Sequence, residues 1–196
     1  MAITLQDYYT AVLENVPTAA TLATQTVFDC INRARRRLAA ESDATLALFT
    51  FTLTPGTWNY PYDTAGLVDG CSVISILRVW LYIGTTRYEL PKSAIKYDYF
   101  YTNFASWPIK WWTEKNSLYL WPTPSSNYQM DWQVKKQPNT LAALTDPELE
   151  IKYQYSDACQ MLCCKYVAMA DGNVNLAQFF EGEYQRAMEI LPRSNM

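Results

Sequence analysis

Histidine is absent from all 196 residues. Imidazole is the usual general base near neutral pH and the commonest metal ligand. Without it there is no Ser-His-Asp or Cys-His nucleophile scheme, no His-containing zinc site and no H-E-x-x-H metalloprotease. Glycine is scarce, at six residues, and neither G-x-G-x-x-G nor a Walker pattern occurs, which removes the phosphate-cradling loops. Apolar runs stay well short of the roughly 18 residues that cross a bilayer, and the opening MAITLQDYYTAVLENV lacks the basic stretch and apolar core of a signal peptide. The five cysteines are an odd number without secretory spacing, so the chain reads as made in a reducing cytoplasm with free, mostly buried thiols. The expectation is a protein that is not an enzyme and has no cofactor, no bound metal and no membrane partner.

Positive charge is also in short supply. Lys plus Arg is 16 against 19 for Asp plus Glu, whereas a general nucleic-acid binder is basic. The imbalance sits in residues 141–196, which hold eight acidic and four basic groups. Four basic groups cluster instead at Arg33, Arg35, Arg36 and Arg37. What the chain has in quantity is apolar surface, 49% of residues, and aromatic rings, 15%. A chain of this length buries roughly 70% of its unfolded surface and needs no covalent staple.

Three zones follow from the periodicity, and together they predict an α+β fold. Residues 1–45 predict helices: Leu5, Tyr8, Tyr9, Val12 and Leu13 share one face, Pro17 interrupts, and Val27, Ile31, Ala34 and Leu38 continue on a second helix whose last turns hold the arginines. Residues 46–138 predict an antiparallel sandwich or barrel-like sheet. Phe49, Phe51 and Leu53 alternate with threonines, Val73 to Tyr82 is nearly all apolar as for a strand covered on both faces, and Glu114-Lys115-Asn116-Ser117 turns a hairpin. Tyr128 to Lys135 is the clearest amphipathic strand. Residues 139–196 predict a helical hairpin that completes the bundle. Asp146 and Pro147 have N-cap and first-turn chemistry, Gly172 suits a C-cap, a last helix runs from about Asn175, and Pro192 stops it before the polar end Arg193 to Met196.

Each constellation has a plain alternative. Cys159 and Cys163 lie one turn apart, but tetrahedral zinc wants four ligands, and Cys30 and Cys71 fall in other zones; small core residues are the better reading. Asp146, Glu148 and Glu150 form a carboxylate group of the kind a glycosidase uses, yet a helix start favours acids anyway. Trp107, Trp111, Trp112, Trp121 and Trp132 fit a sheet core first, a protein interface second and a sugar- or base-stacking platform third. The arginine cluster fits a solvated helix end, a phosphate grip, or forks that pair with carboxylates on a neighbouring copy.

Four stretches in order carry a resemblance: TLQDYYTAVLENV, FDCINRARRRLAAE, SWPIKWWTEKNSLYLWPTPSSNYQMDWQVKKQP, and YSDACQMLCCKYVAMADGNVNLAQFFEGEYQRAMEIL. The chain resembles the head-to-tail adaptor family of short-tailed bacteriophages, of the tail accessory factor or tubular tail adaptor type. The resemblance implies a virion protein assembled in the bacterial host cytoplasm. It implies a self-assembled ring, commonly of twelve copies, under the portal protein at the head–tail junction. Such a ring extends the DNA channel, docks tail nozzle, tail tube or fibre proteins, and lets genomic DNA pass without specific binding. On that reading Arg33, Arg36, Arg37, Phe179, Tyr184 and Arg186 face a neighbouring subunit or the portal. Trp107, Trp111 and Trp112 make tail-facing or inter-subunit contacts, and Asp146, Glu148 and Glu150 line the channel. Only PRSNM follows the last helix, so helix faces are expected to take the place of a long portal-clasping tail. The competing readings are an aromatic-rich carbohydrate-binding β module of a tail or host-recognition protein, and a His-free cell-wall hydrolase.

Overall fold

A computed structural model describes residues 3–62, 72–94 and 105–191; Cys71, Pro192 and the polar end Arg193 to Met196 lie outside the described residues. The fold is mixed α+β, with helices at both ends of the chain and sheets between them. The chain divides into two compact units, Met1–Thr45 with Gln137–Met196, and Leu46–Lys136.

Among the described residues the first unit holds four α-helices: α1 (Leu5–Asn15), α2 (Thr24–Glu41), α3 (Ser156–Ala170) and α4 (Val174–Ile190). A capping box starts α1: Thr4 N donates to Asp7 Oδ2 at 2.7 Å, and Asp7 N donates back to Thr4 Oγ1 at 3.3 Å. Helix α3 packs against the other three, which is why its buried residues run round the helix instead of along one stripe: Ala158, Cys159, Leu162, Cys163, Cys164, Tyr166, Val167 and Ala168. The outer helices need only a stripe each, as in Leu5, Tyr8 and Val12 of α1 or Ala177, Phe180 and Tyr184 of α4. Gly172, at φ +79°, turns the chain between α3 and α4, and the Asn173 side chain caps α4 by accepting from Leu176 N at 3.1 Å.

Two sequence expectations are corrected here. The arginines of α2 stop one turn short of its end, where Ser42 Oγ donates to Leu38 O at 2.6 Å. The helix expected at Asp146 begins instead at Ser156. Asp146 accepts from Ala142 N and Ala143 N at 2.7 and 2.8 Å, and Pro147 bridges to Thr4. Backbone bonds from Leu5 N to Asp146 O (3.0 Å) and from Glu148 N to Ile3 O (2.6 Å) lace this segment to the start of α1. Asp-Pro chemistry serves a turn as well as a helix start, and the long-range backbone pairing decides between them.

The second unit holds β1 (Leu46–Thr52), β2 (Asn59–Pro61), β3 (Val73–Ile83), β4 (Thr86–Leu90), β5 (Ala105–Ser106), β6 (Lys110–Glu114), β7 (Ser117–Trp121), β8 (Thr123–Pro124) and β9 (Gln129–Lys136). An antiparallel sheet runs β1-β9-β3-β4, a second runs β2-β7-β6, and the short pair β5-β8 is parallel. The alternation in β1 and β9 meets in register, with Phe49 opposite Trp132 and Phe51 opposite Met130. Strand β3 is not covered on both faces: Ile74 and its neighbours are partly exposed, while Ile76, Val79 and Leu81 are buried. Register shifts between Val73 and Ser75 and between Ile76 and Arg78 break its period of two. The β6–β7 hairpin turns on Lys115 and Asn116, both with positive φ (46° and 58°), the geometry that matches the twist of the flanking strands.

Candidate interaction surfaces

Arg35 lies at the centre of the helical unit, 1% exposed. Its Nε donates to Glu148 Oε2 at 2.5 Å and its Nη2 to Glu148 Oε1 at 3.1 Å, a fork on one carboxylate. Nη1 donates to Asn139 O and to Asn32 Oδ1. Burial alone would lower the Arg35 pKa, but the Glu148 carboxylate outweighs it and the net shift is upward. Glu148 Oε1 also accepts from Glu150 N and Ile151 N at 3.0 and 3.1 Å, and Glu150 Oε2 accepts from Asn139 N. The residues between Asn139 and Ile151 form no helix, yet they are pinned from inside at four points. Tyr8, Cys159 and Cys163 adjoin this network. Burial first, then Cys159 and Glu148, pushes the Tyr8 hydroxyl pKa up, and burial does the same to the Cys163 thiol. Tyr8, Cys159 and Cys163 are closed to solvent. Among the described residues no group of three or more His, Cys, Asp or Glu could hold a metal.

A second polar seam joins α2, α3 and α4. Arg37 forks onto Glu181, Nη1 to Oε2 at 2.9 Å and Nη2 to Oε1 at 2.7 Å, and pairs with Glu41 one turn along its own helix. Lys165 reaches the same Glu181 at 2.5 Å, and the Tyr184 hydroxyl donates to Glu41 Oε2 at 2.7 Å. The Arg37 hydrogen bonds, helped by Lys165 and opposed by burial, hold the Glu181 carboxyl down at about 2. Arg33 lies over the Tyr166 ring, 4.6 Å from its centroid.

These placements sort the residues singled out from the sequence. Arg33 and Arg36 are exposed on α2, Phe179 is exposed on α4, and Arg186 is exposed beside its ion-pair partner Glu183. Arg37 and Tyr184 are corrected: their polar atoms are spent inside the unit, and Tyr184 is buried. Glu148 is corrected in the same way, because a carboxylate forked by Arg35 presents no free charge to a channel. Glu150 is largely covered by Asn139 and Arg35. Asp146 is partly exposed, and the two backbone N–H groups it accepts hold its pKa below the usual range. In the β unit Trp107 is half exposed, but Trp111 and Trp112 are buried. Trp111 donates to Leu90 O at 2.9 Å, and Trp112 stacks on Tyr119 at 5.4 Å. The tryptophan-rich stretch is therefore sheet core and offers no row of open rings.

Two prominent exposed apolar residues are not among those singled out from the sequence. Leu149 is 79% and Tyr153 78% exposed, and both belong to the pinned segment and its exit. Neither shares the helical spacing of Ile151, Tyr155, Ala158 and Leu162, so periodicity gives them no core partner. An exposed apolar side chain on a segment held by buried ion pairs is pre-organised, so little ordering entropy is lost when it docks. Phe179 and Ile190 add exposed apolar surface on α4.

No helix among the described residues is long and apolar enough to cross a membrane. A family model described as SU10 adaptor protein matches residues 3–196. Among curated proteins none matches the chain.

Proposed function

This chain belongs to the SU10 adaptor protein family, and we propose that it acts as a head-to-tail adaptor, forming a ring of twelve copies beneath the portal. A phage adaptor is a structural component of the virion; the ring, its copy number and its position are our reading. The observation that carries it is the family match across residues 3–196. The exposed anchors Leu149, Tyr153 and Phe179, together with the exposed cations Arg33 and Arg36, supply the contacts such a collar needs with neighbours, portal protein and tail nozzle, tube or fibre proteins. A closed head-to-tail ring requires two different patches on each copy, and apolar anchors held on rigid backbone are good candidates for one of them.

The ring extends the DNA channel and does not hold DNA. Each phosphate contact adds salt-dependent affinity, so a conduit is best served by acidic groups, and residues 141–196 supply eight against four basic ones. Asp146 is the member of the acidic trio that presents an ionised carboxylate. Assembly takes place in the host cytoplasm. The test is electron microscopy of intact particles, with the chain located in the density. A collar below the capsid's exit pore is expected; a position elsewhere overturns the proposal. DNA titrated onto the assembled ring at low salt is expected to bind weakly, and tight binding would remove the conduit role.

A further inference from the structure

The four-stranded sheet ends in two strands, β1 and β4, whose own residues make no outward backbone hydrogen bond to a described residue; just past β4 the chain turns to β6, where Pro91 O accepts from Trp111 N at 3.3 Å and Ser93 N donates to Trp111 O at 2.7 Å, so the free rungs of β4 are Arg87 and Glu89. An edge of this kind is a template for another strand, and proteins commonly guard it with lysine, proline or a bulge. Strand β1 has none of these: it reads Leu-Ala-Leu-Phe-Thr-Phe-Thr, pairs with β9 through seven uninterrupted residues, and exposes Leu48.

The phase of each edge can be worked out. In an antiparallel pair, residues alternate between bonding inward and turning their N–H and C=O away. Just past β1, Leu53 N donates to Tyr128 O at 2.7 Å. Ala47, Phe49 and Phe51 therefore bond to β9, and Leu48, Thr50 and Thr52 present N–H and C=O outward. On the other side, the two-residue turn Gly84-Thr85 makes Ile83 and Thr86 the closing bonded pair. Tyr88 and Leu90 then bond inward, and Arg87 and Glu89 present theirs outward.

The two outward sets match. Thr50, Asp131, Trp80 and Glu89 form one row across the sheet, so both ends of that row offer bonding rungs, with side chains on the same face. The opposite face carries Phe49, Trp132, Val79 and Leu90, all but Phe49 being fully or largely buried. With four alternating strands, β1 and β4 run in opposite directions. A head-to-tail neighbour thus brings its β4 antiparallel to β1, with rungs in phase and core faces on the same side. We propose that the β1 edge of each copy pairs with the β4 edge of the next, making one continuous antiparallel sheet around the assembly. The inference rests on the ring reading above and specifies which surfaces close it.

The test uses the full chain assembled in particles. Glu89→Cys is combined in turn with Leu48→Cys or Thr52→Cys, and the particles are treated with a short bis-maleimide. Ladders of covalent multimers extending past the dimer are expected for at least one pair. Each single variant is expected to lack the ladder, which controls for the native thiols. Rings that form normally but give no ladder with either pair overturn the edge pairing and leave the ring standing. Covalent dimers without higher multimers also overturn it, because they indicate a two-fold contact. Absence of rings in the unsubstituted particle removes the ring reading itself. As a second measurement, Leu48→Lys places a guarding charge on β1. It is expected to leave the tryptophan-monitored unfolding midpoint of the free chain unchanged and to abolish the ring; rings at unchanged yield count against the proposal.

Discussion

Removing both partners of the Arg35–Glu148 pair should destabilise the helical unit no more than removing either one alone. Glu148→Gln leaves a guanidinium that is 1% exposed without its counter-charge, and breaking a buried pair costs about 3–5 kcal/mol. Glu150, whose oxygen lies 3.7 Å from Arg35, and the acceptors on Asn32 and Asn139 soften the loss, so about 3 kcal/mol is expected. Arg35→Met strands the Glu148 carboxylate instead and should cost a similar amount. The double variant Arg35→Met/Glu148→Leu removes both charges. It leaves Asn139 O short of a donor and Glu150 N and Ile151 N short of an acceptor, a loss of about 2–3 kcal/mol at roughly 1 kcal/mol per bond. The coupling energy should then be about 3 kcal/mol. The two units can be followed separately by urea unfolding, because all seven tryptophans lie within Leu46–Lys136, while helical ellipticity reports the four-helix unit. Single-variant losses below about 1 kcal/mol, additivity in the double variant, or a shift confined to tryptophan fluorescence would refute this account.

Acid should loosen the α2–α3–α4 seam. Glu181 titrates at about 2 in the fold against an ordinary 4.5, so its contribution is complete above pH 4.5 and is lost as pH falls toward 2. The ceiling is about 3 kcal/mol at 1.36 kcal/mol per pH unit, and screening at a side chain 29% exposed lowers this to about 1–2 kcal/mol; Glu181→Gln should flatten that part of the ellipticity-monitored pH profile. At the β6–β7 turn, Asn116→Gly should be neutral within about 0.5 kcal/mol, whereas Asn116→Val should cost about 1–2 kcal/mol, because a branched residue resists φ 58°; tryptophan fluorescence in urea reads both. Leu149→Asp and Tyr153→Asp should leave helical stability within about 0.5 kcal/mol of the parent and reduce incorporation of the chain into particles, which immunoblotting of purified virions measures.

The helices and strands were legible where one face decides the outcome. Phe49, Phe51 and the alternating β9 residues announce their strands because each faces a core on one side. Helix α3 is legible in part, from the spacing of Ala158, Leu162 and Tyr166, but the buried Cys163, Cys164 and Val167 lie off that stripe because the helix packs on three neighbours. From Asp146 to Tyr155 local chemistry favours a helix, but distant backbone groups win. Ile3 and Leu5 are more than 140 positions away in sequence, and no window of ordinary length relates them. The β3 bulges were hidden for the same kind of reason, since a register shift is a property of the pair β3–β9 and not of either strand.

The arginine cluster shows why the interaction surface was only partly readable. Four arginines within five positions look alike as a string, but a helix advances about 100° per residue and so gives each a different neighbour. Arg35 points into the bundle and holds Glu148, Arg37 meets Glu181 across to α4, Arg33 lies over Tyr166, and Arg36 faces solvent. One of the four was therefore never available to a partner, and a second is committed inside the fold. The clue lay in position: Arg35 shares a face with Ile31, Leu38 and Ala39, one turn either side, where a charged residue is tolerated only if a carboxylate is brought to it. The same principle run backward marks Leu149 and Tyr153. An apolar side chain that the local stripe does not claim, held by a backbone that buried ion pairs do not release, is surface kept for another molecule.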